Sequence, residues 1–197
     1  MKKIILVALT LFTFTGISFA QFEQGRILAG GSIGFSTNTN KSKVNNTTTT
    51  NSKSASFNFN PKAGYFIINN LAVGAGLDLG VSSYKQEGAT HKSTGSSIAI
   101  DPFVRYYLKQ GIFFQGQFGV GSSKSKYYYG NTPYTDKYNT TNWSLAAGYA
   151  LFLNNNVAIE PMVGYRSDTD KPKGSDNKTI NGGLFVNVGF QIYLGKK

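Results

Sequence analysis

The chain has 197 residues, with 20 Lys and Arg against 9 Asp and Glu (net charge +11) and no cysteine. No disulfide can brace it, and its length allows a single domain. Twenty-three glycines and 14% aromatics beside only 15% charged residues suit a barrel with small residues inside and aromatic girdles at its rims, rather than a soluble domain.

The first twenty residues begin with Lys2 and Lys3, continue as an apolar run from Ile4 to Phe14, and close on Ser18-Phe19-Ala20. This layout predicts a secretory signal peptide cleaved after Ala20, dividing the chain into a leader (1–20) and one mature domain (21–197). Beyond Gln21 no apolar stretch approaches the roughly 20 residues that a membrane-spanning helix requires. Any crossing must be made by strands.

Eight segments alternate apolar and polar residues, as strands with one greasy face do. The first, at about 26–37, sets Ile27, Ala29, Gly31, Ile33 and Phe35 on one face; the second, 53–67, does so with Phe57, Phe59, Tyr65 and Ile67. The third (71–84) and fourth (96–108) turn Leu77, Leu79, Ile98 and Ile100 outward, with Asp78, Asp101 and Arg105 on the opposite face. The fifth (112–123) and sixth (139–153) present Phe114, Phe118, Trp143 and Leu145. The seventh (157–167) presents Val163 and Tyr165, and the eighth (179–194) presents Leu184, Val186, Val188 and Phe190. That last greasy face exceeds the typical globular strand of about 5–6 residues and suits an oblique bilayer crossing.

Three connections are tight and built from Asn, Gln and Gly: 68–70, 109–111 and 154–156. Between them lie four long polar segments, 38–52, 85–95, 124–138 and 168–178. Short turns on one side and long connections on the other are the asymmetry of outer-membrane barrels, with both termini in the periplasm. A soluble sandwich would not account for it. The predicted fold is therefore all-β, an eight-stranded antiparallel up-and-down transmembrane β-barrel with short periplasmic turns and long outer loops.

On these features the mature sequence resembles the small outer-membrane β-barrel proteins of the OmpA transmembrane-domain and OmpX-like family. Within the terminal strand, Asn187, Gly189, Ile192 and Leu194 are similar in spacing to the signal read by the barrel-assembly machinery, which the resemblance implies as a partner during biogenesis. Members often end on Phe, whereas here Gly195-Lys196-Lys197 follows. The resemblance also implies the outer membrane of a Gram-negative bacterium, contact with its lipid and lipopolysaccharide, and a monomeric state.

An eight-stranded barrel is only wide enough inside for side chains to fill it, and an unpaired charge there costs several kcal/mol. The inward charges are Lys62, Asp78, Asp101, Arg105, Glu160 and Arg166. Counting from the tight turns, Lys62, Asp78, Asp101 and Arg105 are expected to pair along one wall, with Glu160 and Arg166 across the lumen. Two nearby carboxylates also suit acid–base work, but interleaved cations and the lack of a cleft favour structural pairing. Phe103, Tyr107, Phe113, Phe152 and Tyr193 are expected to fill the interior against a continuous pore.

The surplus lysines, among them Lys41, Lys85, Lys92, Lys124, Lys126 and Lys137, fall in the outer connections. There they read first as ordinary solvated loops and, beside tyrosines, also suit phosphates of lipopolysaccharide or another polyanion; nucleic acid is not expected, since the charge lies outside the cell. His91-Lys92-Ser93 resembles the His-x-Ser of outer-membrane lipid A deacylases, but it sits in a Gly/Thr/Ser segment with no placed acid. No catalytic, metal or cofactor site is expected. The expected function is a non-enzymatic integral outer-membrane protein with a membrane-structural and surface-interaction role through basic outer loops. The alternative is a narrow pore or a conduit for small hydrophobic ligands; an adhesin or a lipid A-modifying enzyme is further off.

Overall fold

A computed structural model describes residues 19–44 and 47–195. The expected signal peptide lies outside these residues, except that Phe19 and Ala20 join a short 3-10 turn, Phe19–Phe22. Nine strands follow: β1 (Ile27–Val44), β2 (Thr47–Ile68), β3 (Leu71–Gln86), β4 (Ser93–Tyr107), β5 (Ile112–Tyr129), β6 (Thr132–Tyr149), β7 (Leu151–Phe152), β8 (Val157–Pro172) and β9 (Thr179–Leu194).

Every neighbour pair is antiparallel, and β1 pairs with both β2 and β9, which closes the sheet. The two-residue β7 continues β6 past Ala150 and pairs with the same neighbour, β8. The barrel therefore has eight staves, as the alternation predicts.

The tight turns lie where expected. Asn70 and Gln110 adopt positive φ (69° and 86°), a backbone that Asn tolerates better than most residues. In the third turn the Asn154 side-chain oxygen accepts from the amides of Asn156 and Val157, both at 2.9 Å. Asn is used there because its short amide folds back on its own backbone.

At the opposite end the strands run further than the polarity of the sequence suggests. β1 and β2 pair up to Val44 and Thr47, and β5 and β6 up to Tyr129 and Thr132. Much of segments 38–52 and 124–138 is thus paired ribbon rather than irregular loop. Thr and Tyr favour strands whether or not a face is greasy, and stacking of Tyr127 on Tyr134 (centroids 5.8 Å apart) adds a cross-strand contact.

Outside, Phe57, Phe59, Leu77, Ile98, Ile100, Phe118 and Trp143 all remain exposed. An apolar belt of this extent is untenable in water and is what hydrocarbon solvates. Inside, the core concentrates at the end that carries the tight turns. Leu28, Phe66, Tyr107, Phe113, Phe152 and Tyr193 are buried there. Phe22, from the 3-10 turn, packs into the same end, stacked on Tyr107 with ring centroids 4.2 Å apart.

Candidate functional site

The charged lumen begins directly above that aromatic layer. Arg105 and Glu160 face inward from β4 and β8 and meet at 2.6 Å, Nη1 to Oε2, with both side chains sealed from solvent. The Glu160 carboxylate also accepts from the hydroxyls of Tyr193 (2.5 Å) and Tyr107 (3.3 Å). The remaining guanidinium nitrogens, Nε and Nη2, donate to Gln115 Oε1 at 2.9 and 2.6 Å. The Phe113 ring lies 4.3 Å from the guanidinium carbon. Almost every polar edge of the pair therefore has a partner, the condition under which a buried ion pair is tolerated.

A second tier lies nearer the outer end. Arg166 donates to Asp78 at 3.0 Å and, within its own strand, to Asp168 at 2.8 Å. Asp78 also accepts from the Asn60 amide at 2.8 Å. Asp101 accepts from Asn142 on β6 at 3.0 Å. The intervening strand β5 places Gly119 at this level, and a Cβ there would collide with the Asp101 carboxylate and the Asn142 amide. Gly119 keeps open the gap that the bond crosses.

The six inward charges thus occupy the lumen, but the expected wall of pairs does not form. Arg105 goes to Glu160 instead of Asp101, and Asp78 goes to Arg166 instead of Lys62. Among the described residues Lys62 has no carboxylate within ion-pair distance; its ammonium lies 5.8 Å from the Phe103 ring centroid. The reason is geometric: in so narrow a barrel, side chains from distant staves converge on the axis, so a long Arg reaches a carboxylate across the lumen as well as partners on its own wall. The polar partners Gln115, Asn142, Asn60 and Asp168 were not among the expected residues. Their inward parity within polar-faced strands was the available signal.

The terminal-strand residues divide by face. Asn187 points inward, its amide 3.3 Å from Ser32 Oγ on β1, and Gly189 pairs with Glu160 of β8. Ile192 and Leu194 fall on the alternate, outward parity, and Leu194 is exposed. His91 stacks on Tyr128 with centroids 4.3 Å apart, and its Nε2 lies 3.3 Å from Asn131 Oδ1.

At the level of the second tier a lumen cavity of about 640 Å³ is lined by Asn58, Asn60, Lys62, Asp78, Asp101 and Arg166, among others. A separate cavity of about 400 Å³ lies among the outer extensions, walled by Lys85, His91, Lys92, Lys126 and Tyr128 together with Thr90 and Thr94.

Solved structures with the same kind of fold include the translocator domain of the autotransporter NalP from Neisseria meningitidis (TM-score 0.50, 16% identity, covering 97% of this chain and 67% of that one). The Neisserial surface protein A aligns with TM-score 0.47 and 15% identity over 86% of this chain and 97% of its own. The outer membrane protein OprG from Pseudomonas aeruginosa aligns with TM-score 0.47 and 12% identity over 89% and 99%. No curated protein matches the chain in sequence. The family described as the outer membrane protein beta-barrel domain matches residues 68–197. With its closed sheet and apolar outer belt, the chain belongs to that outer-membrane β-barrel family.

Proposed function

We propose that the protein is a non-enzymatic, non-conducting barrel of the Gram-negative outer membrane that works through its basic outer end on phosphate groups of lipopolysaccharide. The observation that carries this function is the outer cavity, where Lys85, Lys92 and Lys126 share one wall with His91 and Tyr128 and no acidic side chain lines it. Lys126 lies 5.3 Å from the Tyr128 ring centroid, which leaves the ammonium facing a polarizable surface rather than a carboxylate. Three lysines around one cavity without a carboxylate favour a multiply charged anion, and phosphates at the membrane surface are the nearest ones.

The closed inner end supports non-conduction: Phe22, Phe66, Tyr107, Phe152 and Tyr193 form a contiguous aromatic layer beneath the sealed ion pair. In this scheme the leader is removed on export, and Asn187, Gly189, Ile192 and Leu194 serve as the address for the barrel-assembly machinery before the protein settles as a monomer.

The test is calorimetric titration of the detergent-solubilised protein with bisphosphorylated lipid A and with its dephosphorylated form. Preference for the phosphorylated lipid, lost in the triple variant Lys85→Ala, Lys92→Ala, Lys126→Ala, is the expected result. Equal binding of both lipids overturns the proposal. Planar-bilayer recording separates it from the pore alternative: stable unitary conductance by the unaltered protein would favour the pore.

A further inference from the structure

The closing seam between β1 and β9 is short. Its pairing runs from Ile27 opposite Leu194 to Gly31 opposite Phe190 and is not found beyond that point among the described residues. On their other edges both strands continue: β1 pairs with β2 out to Val44, and β9 with β8 out to Thr179. The ladder stops at Gly31, whose φ of 150° is a backbone that favours glycine. A Cβ there would also strike the Asn60 carbonyl of β2. The break is therefore written into the Gly30-Gly31 pair.

Above the break the seam is bridged on its lumen side by the Asn187 to Ser32 hydrogen bond of 3.3 Å. The side chains flanking it are among the most exposed apolar residues of the barrel, Ile33 at 70% and Val186 at 81%, because each lacks a neighbour across the gap. The 640 Å³ lumen cavity reaches Ile33, Val186 and Val188 as well as Lys62 and Asp101. A polar chamber is thus continuous with an apolar slot in the barrel wall, and its floor is closed by the layer of Arg105, Glu160 and Gln115.

The charges in the chamber are unequally committed. Arg105 and Glu160 satisfy each other, and Arg166 serves Asp78 and Asp168. Lys62 and Asp101 both lie in register with Gly76, on either side of it, and neither is ion-paired among the described residues. Among the described residues Lys62 thus lacks a carboxylate partner and Asp101 has only the Asn142 amide; a cation and an anion separated by a residue without a side chain match a head group that carries both signs. The other charged residues of the lining, Arg166, Asp78 and Asp168, are paired with one another, which leaves Lys62 and Asp101 to set the charge preference. The volume falls within the usual range of ligand pockets, about 300–1,000 Å³.

We propose that the chamber and seam form one site for a single-chain zwitterionic membrane lipid of the lysophospholipid class. Its phosphate lies towards Lys62 and its amine towards Asp101. Its acyl chain leaves through the slot between Ile33 and Val186 into the bilayer. A seam bridged by one side-chain hydrogen bond passes one chain rather than two. This site is separate from the basic outer cavity and does not depend on its role.

The test uses the full mature chain in phosphatidylcholine nanodiscs, titrated with lysophosphatidylethanolamine, lysophosphatidylglycerol and monoacylglycerol, with bound lipid counted by native mass spectrometry. One lysophosphatidylethanolamine per barrel is expected, preferred over the anionic and neutral lipids by at least about tenfold, since each of those lipids forgoes a charge-assisted bond that it makes. Lys62→Met removes that preference while the barrel keeps its heat-modifiable gel mobility. The chain has no cysteine, so Ile33→Cys with Val188→Cys allows the slot to be stapled by a reducible bis-maleimide cross-linker: binding is lost on cross-linking and returns on reduction. Equal binding of all three lipids, binding untouched by Lys62→Met, or binding unaffected by the staple overturns the proposal.

Discussion

Arg105 of β4 and Glu160 of β8 hold each other at 2.6 Å across the lumen, three staves apart, with neither side chain reaching solvent. Between them they tie opposite walls of the barrel, and through the hydroxyls of Tyr107 and Tyr193 they tie the charged tier to the aromatic layer beneath it.

Removing one member of this pair leaves a buried charge without its partner. Glu160→Ala is expected to cost about 3–5 kcal/mol in reversible urea unfolding from lipid vesicles. Replacing both residues, Arg105→Met with Glu160→Met, restores most of that loss because no charge is then stranded. A double variant as unstable as the single one would show that the pair contributes more than mutual neutralisation.

Gly119 and Gly183 form a matched contrast. A Cβ at Gly119 meets the Asp101 carboxylate and the Asn142 amide, whereas one at Gly183 meets nothing within 4 Å. Gly119→Ala is expected to destabilise the barrel by about 1–3 kcal/mol through overpacking. Gly183→Ala is expected to be neutral or to stabilise by about 0.5 kcal/mol, since alanine has less freedom to lose on folding. Paired thermal melts in the same detergent compare them.

Phe22 enters the inner mouth from outside the sheet, and the Phe22 carbonyl accepts from the Asn70 amide at 2.7 Å. Phe22→Ala is expected to lower the unfolding free energy by about 3 kcal/mol without opening a conductance, because Tyr107, Phe66, Phe152 and Tyr193 still close the mouth. Urea titration and bilayer recording on the same preparation give both readouts.

Paired ribbons at the outer end predict where proteases cut. Lys124, Lys126 and Lys137 lie within the β5–β6 ladder, whereas Lys92, Lys173 and Lys178 lie between strands. Proteolysis concentrates in unpaired, exposed segments. Trypsin applied to intact cells should therefore cut first after Lys92, Lys173 or Lys178, as read by mass spectrometry of the retained fragments. Early cleavage at Lys124 or Lys126 would mean that the ribbon is not formed.

The barrel itself was legible because the bilayer imposes a pattern with period two. Ile98, Ile100 and Val104 must face lipid while Ala99, Asp101 and Arg105 face inward, so side-chain parity alone assigns the face of each residue. Strand ends were less legible: the signal for an end was loss of the greasy face, and that marks where lipid ends rather than where pairing ends. Tyr127 and Tyr134 continue to pair beyond it.

The amino-acid order by itself determined eight staves, their inside and outside, the tight turns at Asn70, Gln110 and Asn154, and six of the charges that enter the lumen. Each of these depends on local conformation or on parity along one strand. Only the tertiary structure decided that Arg105 meets Glu160, that Arg166 meets Asp78, that Lys62 and Asp101 form no ion pair among the described residues, and that the seam parts after Gly31. Those outcomes depend on the tilt and closure of the whole sheet, which bring distant strands to one axis and are not encoded in any single alternation.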